Sequence, residues 1–473
     1  MPRMSIFLLV LAGITTGCGT SDDTSTSSMS ARVPVTAAPT SSTETTVPTT
    51  SSSTSTTTTL PNLIDAPIEL DAETCRLAQV GRTPEQPYAT GFPVEFDNLK
   101  PAQHVSIIGI PVDWSDYPGD VKAFEQEEQD IRTFTNYFEE VSEGRLTFDL
   151  TFLERWYRLP EPTTHYSQRQ VSDQNPKLAG DAIQQADPDV DFSLYDIVVF
   201  VLPSGSPIPS GEPQTVRNFA SFQSFHNWPE GHPYRVYSDE GWVRNYMSGG
   251  IYFDDPSRQV WSYYIHETGH MFNLPDWYLI ERNHLLGPKP EDPLTVPIGP
   301  MSSWSMMSNQ DGPSRTFDAW ARWLMGWLSE DQVLCYDLTQ IQAHGEFDVE
   351  LIGLDTYEPG NKAVFIKLGE TAGLAVESRR PIGLDSNIMA YRPSGRDPQG
   401  LVVYTIDTTK GNQEGALSLV PPEGRSMTYL PGRPPAIDAL FNEGDVGYTD
   451  SLQIELIFSG ASDVVRISPI YNP

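Results

Sequence analysis

The sequence predicts a mixed α/β unit, with helices packed on a sheet, followed by a β-rich, sandwich-like unit. An apolar, β-branched run at 105–110 and an amphipathic pattern over 121–141 alternate with further strand-like segments, which predicts the first unit. After Cys335 the chain changes to short apolar segments separated by Gly, Pro and Asp. Short apolar segments separated in this way are typical of an all-β region and predict the second unit.

The elements of the first unit follow in order along the chain. The strand at 105–110 is closed by Pro111, and the helix over 121–141 ends at Glu143-Gly144-Arg145. Residues 146–152 alternate as a half-buried strand does, and 195–202 form another buried strand. In the second unit we predict strands at 347–354, 363–368, 401–406 and 452–458. We place the boundary at 330–345 and divide the chain into residues 62–335 and 336–473.

The beginning of the chain has the composition of an export signal. Arg3 precedes an apolar run at 6–14 that is too short to span a bilayer, so residues 1–17 are predicted to be a signal peptide. Small residues before Cys18 resemble a bacterial lipoprotein processing site with Cys18 lipidated, although Thr15 departs from that pattern and leaves ordinary cleavage as the alternative. Residues 18–61, rich in Ser and Thr, are predicted to be a disordered linker or an unstructured leader. We therefore expect a cell-surface, lipid-anchored or secreted protein.

The cysteines and the net charge limit the covalent links and the partners that the protein can have. If Cys18 carries lipid, Cys75 and Cys335 form either one disulfide or two separate thiols. The formal net charge of −33 argues against nucleic acid and against an anionic membrane surface as partners. It leaves room for calcium, but the carboxylates of 187–191 lack the glycine and glutamate that an EF-hand needs at its sixth and twelfth positions. A calcium ion is therefore left without an assigned site.

The segment His266-Glu267-Thr268-Gly269-His270 carries the strongest chemical signal. Asp255 and Pro256 predict the start of a helix that runs into it. Residues four apart share one helix face, so His266 and His270 can reach one metal ion. Glu267 lies about 100° round the helix, where it can act as a general base on water without being a ligand. The alternative is a chance arrangement of two histidines on a solvated helix.

A catalytic zinc site takes a third protein ligand. Asp276 follows His270 by six residues, and a chain reversal near Asn273 would bring it round, since asparagine tolerates the left-handed conformation and Pro275 prevents the helix from resuming. Asp276 is the predicted ligand. A loop carboxylate that caps a later turn is the alternative.

Together these residues resemble the HExxHxxGLPD signature of the immune inhibitor A family of bacterial secreted zinc metallopeptidases. The resemblance implies a metzincin-type catalytic fold, one zinc ion and polypeptide substrates. It also aligns Met307 with the methionine of the turn beneath the metal, where a generic core methionine is the alternative. Further similar segments are 138–146, 299–308, 323–328, 375–380 and 400–404.

Two departures from the family matter. Asn273 replaces a glycine, and Asn309 stands where some metzincins have a tyrosine that assists the transition state. That role is left unassigned, with Tyr278, His284 and His344 as candidates and a packing or surface role as the alternative for each. The other functions considered are a catalytically silent surface-binding module and a metal-dependent hydrolase of non-peptide amide bonds in the cell envelope.

Overall fold

The computed structural model describes residues 62–80, 87–119, 121–166, 176–203, 221–224, 227–249, 260–278, 300–391, 396–425 and 437–471. Within these ranges the protein is a mixed α/β structure with several sheets and few helices. The predicted signal peptide and linker lie outside them, as do Cys18, Asp255 and His284. No helix in the described part is long and apolar enough to cross a membrane.

The first half is built on a six-stranded sheet and a small hairpin, with the strands β1 (His104–Asp113), β2 (Thr147–Phe152), β3 (Tyr157–Arg158), β4 (Ile197–Val201), β5 (Ser221–Ser224), β6 (Val236–Tyr237), β7 (Trp242–Val243) and β8 (Tyr246–Gly249). Strands β1, β2, β4 and β8 run parallel, and β5 pairs antiparallel with β8 at one edge. The predicted strands at 105–110, 146–152 and 195–202 are confirmed as parts of this sheet. The prediction that Pro111 closes the first strand is wrong, because β1 continues through Pro111 to Asp113. The strand order across the sheet is β2-β1-β4-β8-β5, with β3 beside β1, and β6 pairs with β7 in the small hairpin.

Helices cover both faces of this sheet. The helices of this half are α1 (Val121–Val141), α2 (Thr163–Tyr166), α3 (Pro176–Ala186) and α4 (Val260–Met271). On β1, Val105 and Ile107 join the core formed with α1 and α4, whereas Ile108 and Ile110 join the core formed with α3. Such near-continuous burial is what parallel strands covered on both faces require.

Helix α1 has the bounds that the periodicity predicts. Its buried face carries Ile131, Phe134 and Phe138, and the chain leaves the helix through positive φ at Glu143 (53°) and Gly144 (76°). The N–H of Gly144 donates to the carbonyl of Glu139 at 2.8 Å and so satisfies one of the last carbonyls of the helix.

The second half contains two further sheets. The elements are α5 (Ala319–Leu324), β9 (Val333–Asp337), α6 (Leu338–His344), β10 (Phe347–Leu351), β11 (Ala363–Lys367), β12 (Ala372–Arg379), β13 (Gly400–Asp407), β14 (Leu417–Leu419), β15 (Val446–Tyr448), β16 (Leu452–Ser459) and β17 (Asp463–Pro469). One sheet has the order β14-β13-β12-β11-β9 and the other has the order β10-β17-β16-β15. The predicted strands at 347–354, 363–368, 401–406 and 452–458 are confirmed among them.

The five-stranded sheet is buried on both faces. Val364 and Val403 share a core with the four-stranded sheet, whereas Phe365 and Tyr404 belong to the core of the first half. The two halves therefore share apolar side chains across this sheet. Position 336, where we place the boundary, lies within β9, and the division into two domains stays a prediction.

The first described residues are attached to the same sheet. Cys75 and Cys335 form a disulfide across 260 residues, with their Cα atoms 5.8 Å apart. The N–H of Leu70 donates to the carbonyl of Cys335 at 3.0 Å. Of the two sequence alternatives, the structure has the paired cysteines.

Candidate metal centre

Helix α4 presents both histidines of the motif on one buried face. His266 is 4% exposed and His270 7% exposed, and their ring centroids are 4.9 Å apart. The Nδ1 of His266 lies 2.8 Å from the carbonyl of Met306, and that of His270 lies 2.8 Å from the carbonyl of Leu274. A carbonyl only accepts, so each Nδ1 donates a hydrogen bond to the backbone and each Nε2 is the nitrogen that a metal ion could bind.

The chain reverses directly after this helix, as the sequence predicts. Asn273 has φ of 67°, and the N–H of Leu274 donates to the carbonyl of Gly269 at 3.1 Å, closing the helix end. The Asn273 amide also donates to the carbonyl of Pro87 at 3.0 Å and to Asp97 at 2.9 Å. These bonds offset the strain of a left-handed residue with a side chain, which explains asparagine where the related motif has glycine.

The reversal brings Asp276 to the two imidazoles. Its Oδ1 lies 3.0 Å from Nε2 of His266 and 3.3 Å from Nε2 of His270. Ligand atoms about 2.0–2.1 Å from a tetrahedral zinc stand roughly 3.3 Å apart, so these separations fit such an ion. Within the described ranges, this is the one group of three or more His, Cys, Asp or Glu side chains that converges closely enough to hold a metal.

The three groups perturb one another electrostatically. Burial alone would raise the pKa of Asp276, but the charges and hydrogen bonds of His270 and His266 lower it well below its ordinary range. Burial alone would lower the pKa of His266, but the hydrogen bond and charge of Asp276 raise it to about 9. The carboxylate therefore stays ionised at neutral pH, as a metal ligand must.

Met307 lies beneath the helix that carries the histidines. A Cβ atom at Gly269 would come within 2.5 Å of the Met307 sulfur, so glycine lets the two segments pack together. The backbone of the same segment supports the site, because the carbonyl of Met306 orients His266 and the carbonyl of Met307 accepts from the N–H of Trp277 at 2.9 Å. The segment therefore contacts both the helix and the loop of Asp276.

The second half of the molecule holds this methionine segment in place. Arg379 of β12 donates to the carbonyl of Trp304 at 2.9 Å and pairs with Glu377 and, at 2.8 Å, with Asp385. All three charged side chains are almost fully buried. The five-stranded sheet thus helps to hold the segment whose Met306 carbonyl orients His266.

Glu267 is buried beside the three converging side chains. It is 6% exposed and follows His266 on α4. Burial, together with the negative charges of Asp276 and Glu267, raises the pKa of both Tyr88 and Tyr278 well above the ordinary value. Both phenols therefore remain hydrogen-bond donors at neutral pH near the site.

Other residues considered from the sequence lie elsewhere. The Nε2 of His344 bonds to the carbonyl of Asp65 at 2.9 Å, far along the chain from the motif, and Asn309 accepts from the N–H of Asp311 within its own turn. In the acidic segment considered for calcium, Asp189 pairs with Arg155 and Asp191 accepts from the N–H of Ser193.

Three residues at the site carry no sequence signal. The Tyr88 ring packs edge-on against His270 with centroids 5.6 Å apart. Asn412 and Gln413 contact Asp276 from 136 and 137 residues away along the chain. Only the folded chain shows that they belong to the site.

No protein-family model and no curated protein matches this chain. The family resemblance therefore depends on the motifs quoted above, and the function is argued from the geometry of the site.

Proposed function

We propose that the protein is an exported zinc-dependent metallopeptidase. The observation that carries the proposal is the convergence of His266, His270 and Asp276 from one helix and the turn beyond it. Two imidazole nitrogens and one carboxylate are a donor set that zinc accepts in hydrolytic sites, with one position left for water or substrate. The same donors also suit ferrous iron, so the metal is identified in the experiment below.

A zinc ion at this position would polarise the scissile carbonyl and lower the pKa of water towards neutrality. Glu267 is the general base of the proposal. Its carboxylate takes a proton from the attacking water and delivers it to the departing amine nitrogen. Glu267 follows His266 on the helix, and consecutive residues are rotated by about 100° about the helix axis. Its carboxylate can therefore act on the water without becoming a ligand.

A peptide is the substrate favoured by the sheet. Among the described residues, β5 pairs on one side only, with β8, and therefore forms an edge to which an extended peptide can add as a further strand. Strand β8 is also in contact with α4, the helix that carries the histidines. A non-peptide amide would gain nothing from such an edge.

The finer architecture and the location belong to the same proposal. We assign the first half to a metzincin-type catalytic fold with Met307 in its turn, and the second half to a sandwich-like β domain. Export is supported by the buried disulfide between Cys75 and Cys335, which suits an oxidising compartment. Lipidation of Cys18 would keep the protein at the cell surface.

The test compares the wild-type protein with Glu267→Gln. We expect both to hold close to one zinc per chain by elemental analysis, because Glu267 is not a ligand. Hydrolysis of casein should fall by roughly 10²–10⁴-fold in the variant and vanish in the wild type after chelation. Loss of metal together with activity would show that Glu267 has another role.

The same preparations separate the other functions. A silent binding module would leave casein intact despite a filled metal site. A hydrolase of non-peptide amides would spare casein but cleave members of a panel of cell-envelope substrates in a zinc-dependent manner.

A further inference from the structure

A loop of the second half reaches across to the predicted metal ligand Asp276. It joins β13 to β14 and spans residues 408–416. The N–H of Asp276 donates to the Asn412 side-chain oxygen at 2.7 Å, and the N–H of Gln413 donates to the carbonyl of Asp276 at 3.2 Å. The loop and the backbone of Asp276 therefore bond in both directions.

The side chain of Gln413 adds a contact of a different kind. Its amide nitrogen donates to Oδ2 of Asp276 at 2.9 Å and lies 3.1 Å from the hydroxyl of Tyr278. Oδ1 of the same carboxylate is the atom that faces both imidazoles. The two oxygens of Asp276 thus have separate partners, one towards the metal position and one towards the loop.

We infer that Gln413 is a positioning residue that orients the Asp276 carboxylate for metal binding. The inference rests on the proposed metal site. A carboxylate ligand is fixed by hydrogen bonds to its second oxygen, and such supporting bonds strengthen metal affinity by roughly 10–100-fold. An amide suits this task because it donates without bringing a positive charge that would compete with the cation.

The loop does not need the Gln413 amide for its own shape. The N–H of Gly411 donates to Glu414 at 2.7 Å, and the N–H of Asp407 donates to the carbonyl of Ala416 at 2.8 Å, so other contacts close the loop. Gln413 itself has φ of 61°, a strained conformation that directs its amide at Asp276. Removing the amide should therefore release the carboxylate and leave the loop in place.

The experiment measures zinc affinity of the full chain without any substrate, by competition with a chromophoric chelator. Gln413→Met keeps the length of the side chain and removes the donor. Glu414→Gln keeps an oxygen that can accept from the N–H of Gly411 and is the matched control on the same loop. We expect the zinc dissociation constant to rise at least tenfold in Gln413→Met and to stay within twofold of wild type in the control. The melting temperature of both metal-free variants should match that of wild type.

An unchanged zinc affinity in Gln413→Met would overturn the inference. A fall in zinc affinity accompanied by a clear drop in the metal-free melting temperature would also overturn it, because Gln413 would then stabilise the loop and not the ligand. The proposed peptidase activity is tested separately. A wild type that binds zinc but cleaves no peptide would refute the activity and still allow Gln413 to be judged.

Discussion

Replacing Gly269 by alanine should weaken the proposed metal centre through Met307, which packs against α4 at this position. The added Cβ would stand 2.5 Å from the Met307 sulfur and 3.2 Å from its terminal methyl carbon. Carbon contacts are ordinarily about 3.5–4.0 Å, so either α4 or the methionine must move by on the order of 1 Å. Helix α4 carries both histidines, and the carbonyl next to Met307 orients one of them.

The size of the effect follows from two opposing terms. Overpacking a filled core costs about 1–3 kcal/mol, whereas alanine gains up to about 1 kcal/mol over glycine in a helix. We expect a net destabilisation of about 1 kcal/mol, which in a folded part of this length is a fall in melting temperature of about 1–2 °C. Because α4 carries two of the proposed metal ligands, its displacement should raise the zinc dissociation constant about tenfold.

The chain provides a matched control in Gly180 of α3. A Cβ there meets nothing closer than 3.8 Å, the distance to Val236. Gly180→Ala should therefore stabilise the protein by about 0.5–1 kcal/mol and leave zinc affinity unchanged. Both variants are compared by thermal unfolding and by zinc competition.

The double variant Gly269→Ala with Met307→Ala identifies the cause. Shortening Met307 removes the atoms that the new methyl group would strike, so the alanine at 269 should weaken zinc binding much less in that background. The reasoning is refuted if Gly269→Ala binds zinc as wild type does, or if its effect is equally large without the methionine.

Two further predictions concern stability. The double variant Cys75→Ser/Cys335→Ser should have a free energy of unfolding in urea roughly 2–5 kcal/mol lower than wild type, because the disulfide closes a long loop of the unfolded chain. A wild type that releases two thiols when denatured without reductant would contradict this prediction. Burial raises the pKa of Asp385 to about 6, although Arg379 opposes the shift. The folded protein then holds that proton more tightly than the unfolded chain, so this contribution is full below about pH 4 and is lost as the pH rises through about 6. Unfolding midpoints should fall over that interval in wild type and less steeply in Asp385→Asn; equal slopes would exclude Asp385 as the cause.

Much of the candidate site can be predicted from a short stretch of sequence because its geometry is local. The spacing of His266 and His270 on a helix fixes their common face, and the residues that follow fix the reversal that returns Asp276. The bounds of α1 and the positions of the main strands follow in the same way from the period of apolar residues. Local backbone geometry of this kind does not depend on contacts with distant parts of the chain.

The rest depends on contacts between distant segments. Gln413 reaches Asp276 from 137 residues away, and Arg379 reaches the carbonyl of Trp304 from 75 residues away. Neither residue type nor spacing signals these roles, because a glutamine in a hairpin loop and an arginine in a strand are ordinary in both places. They arise only when the five-stranded sheet packs its second face against the first half.

The sequence alone thus determined which side chains converge as candidate metal ligands, since a helix and the turn after it set the distances between them. Tertiary structure decided how the Asp276 carboxylate is oriented, which segment packs against α4, and that Cys75 and Cys335 are paired. Those features require surfaces buried between two sheets and a helix layer, and burial is a property of the whole chain and not of any one segment.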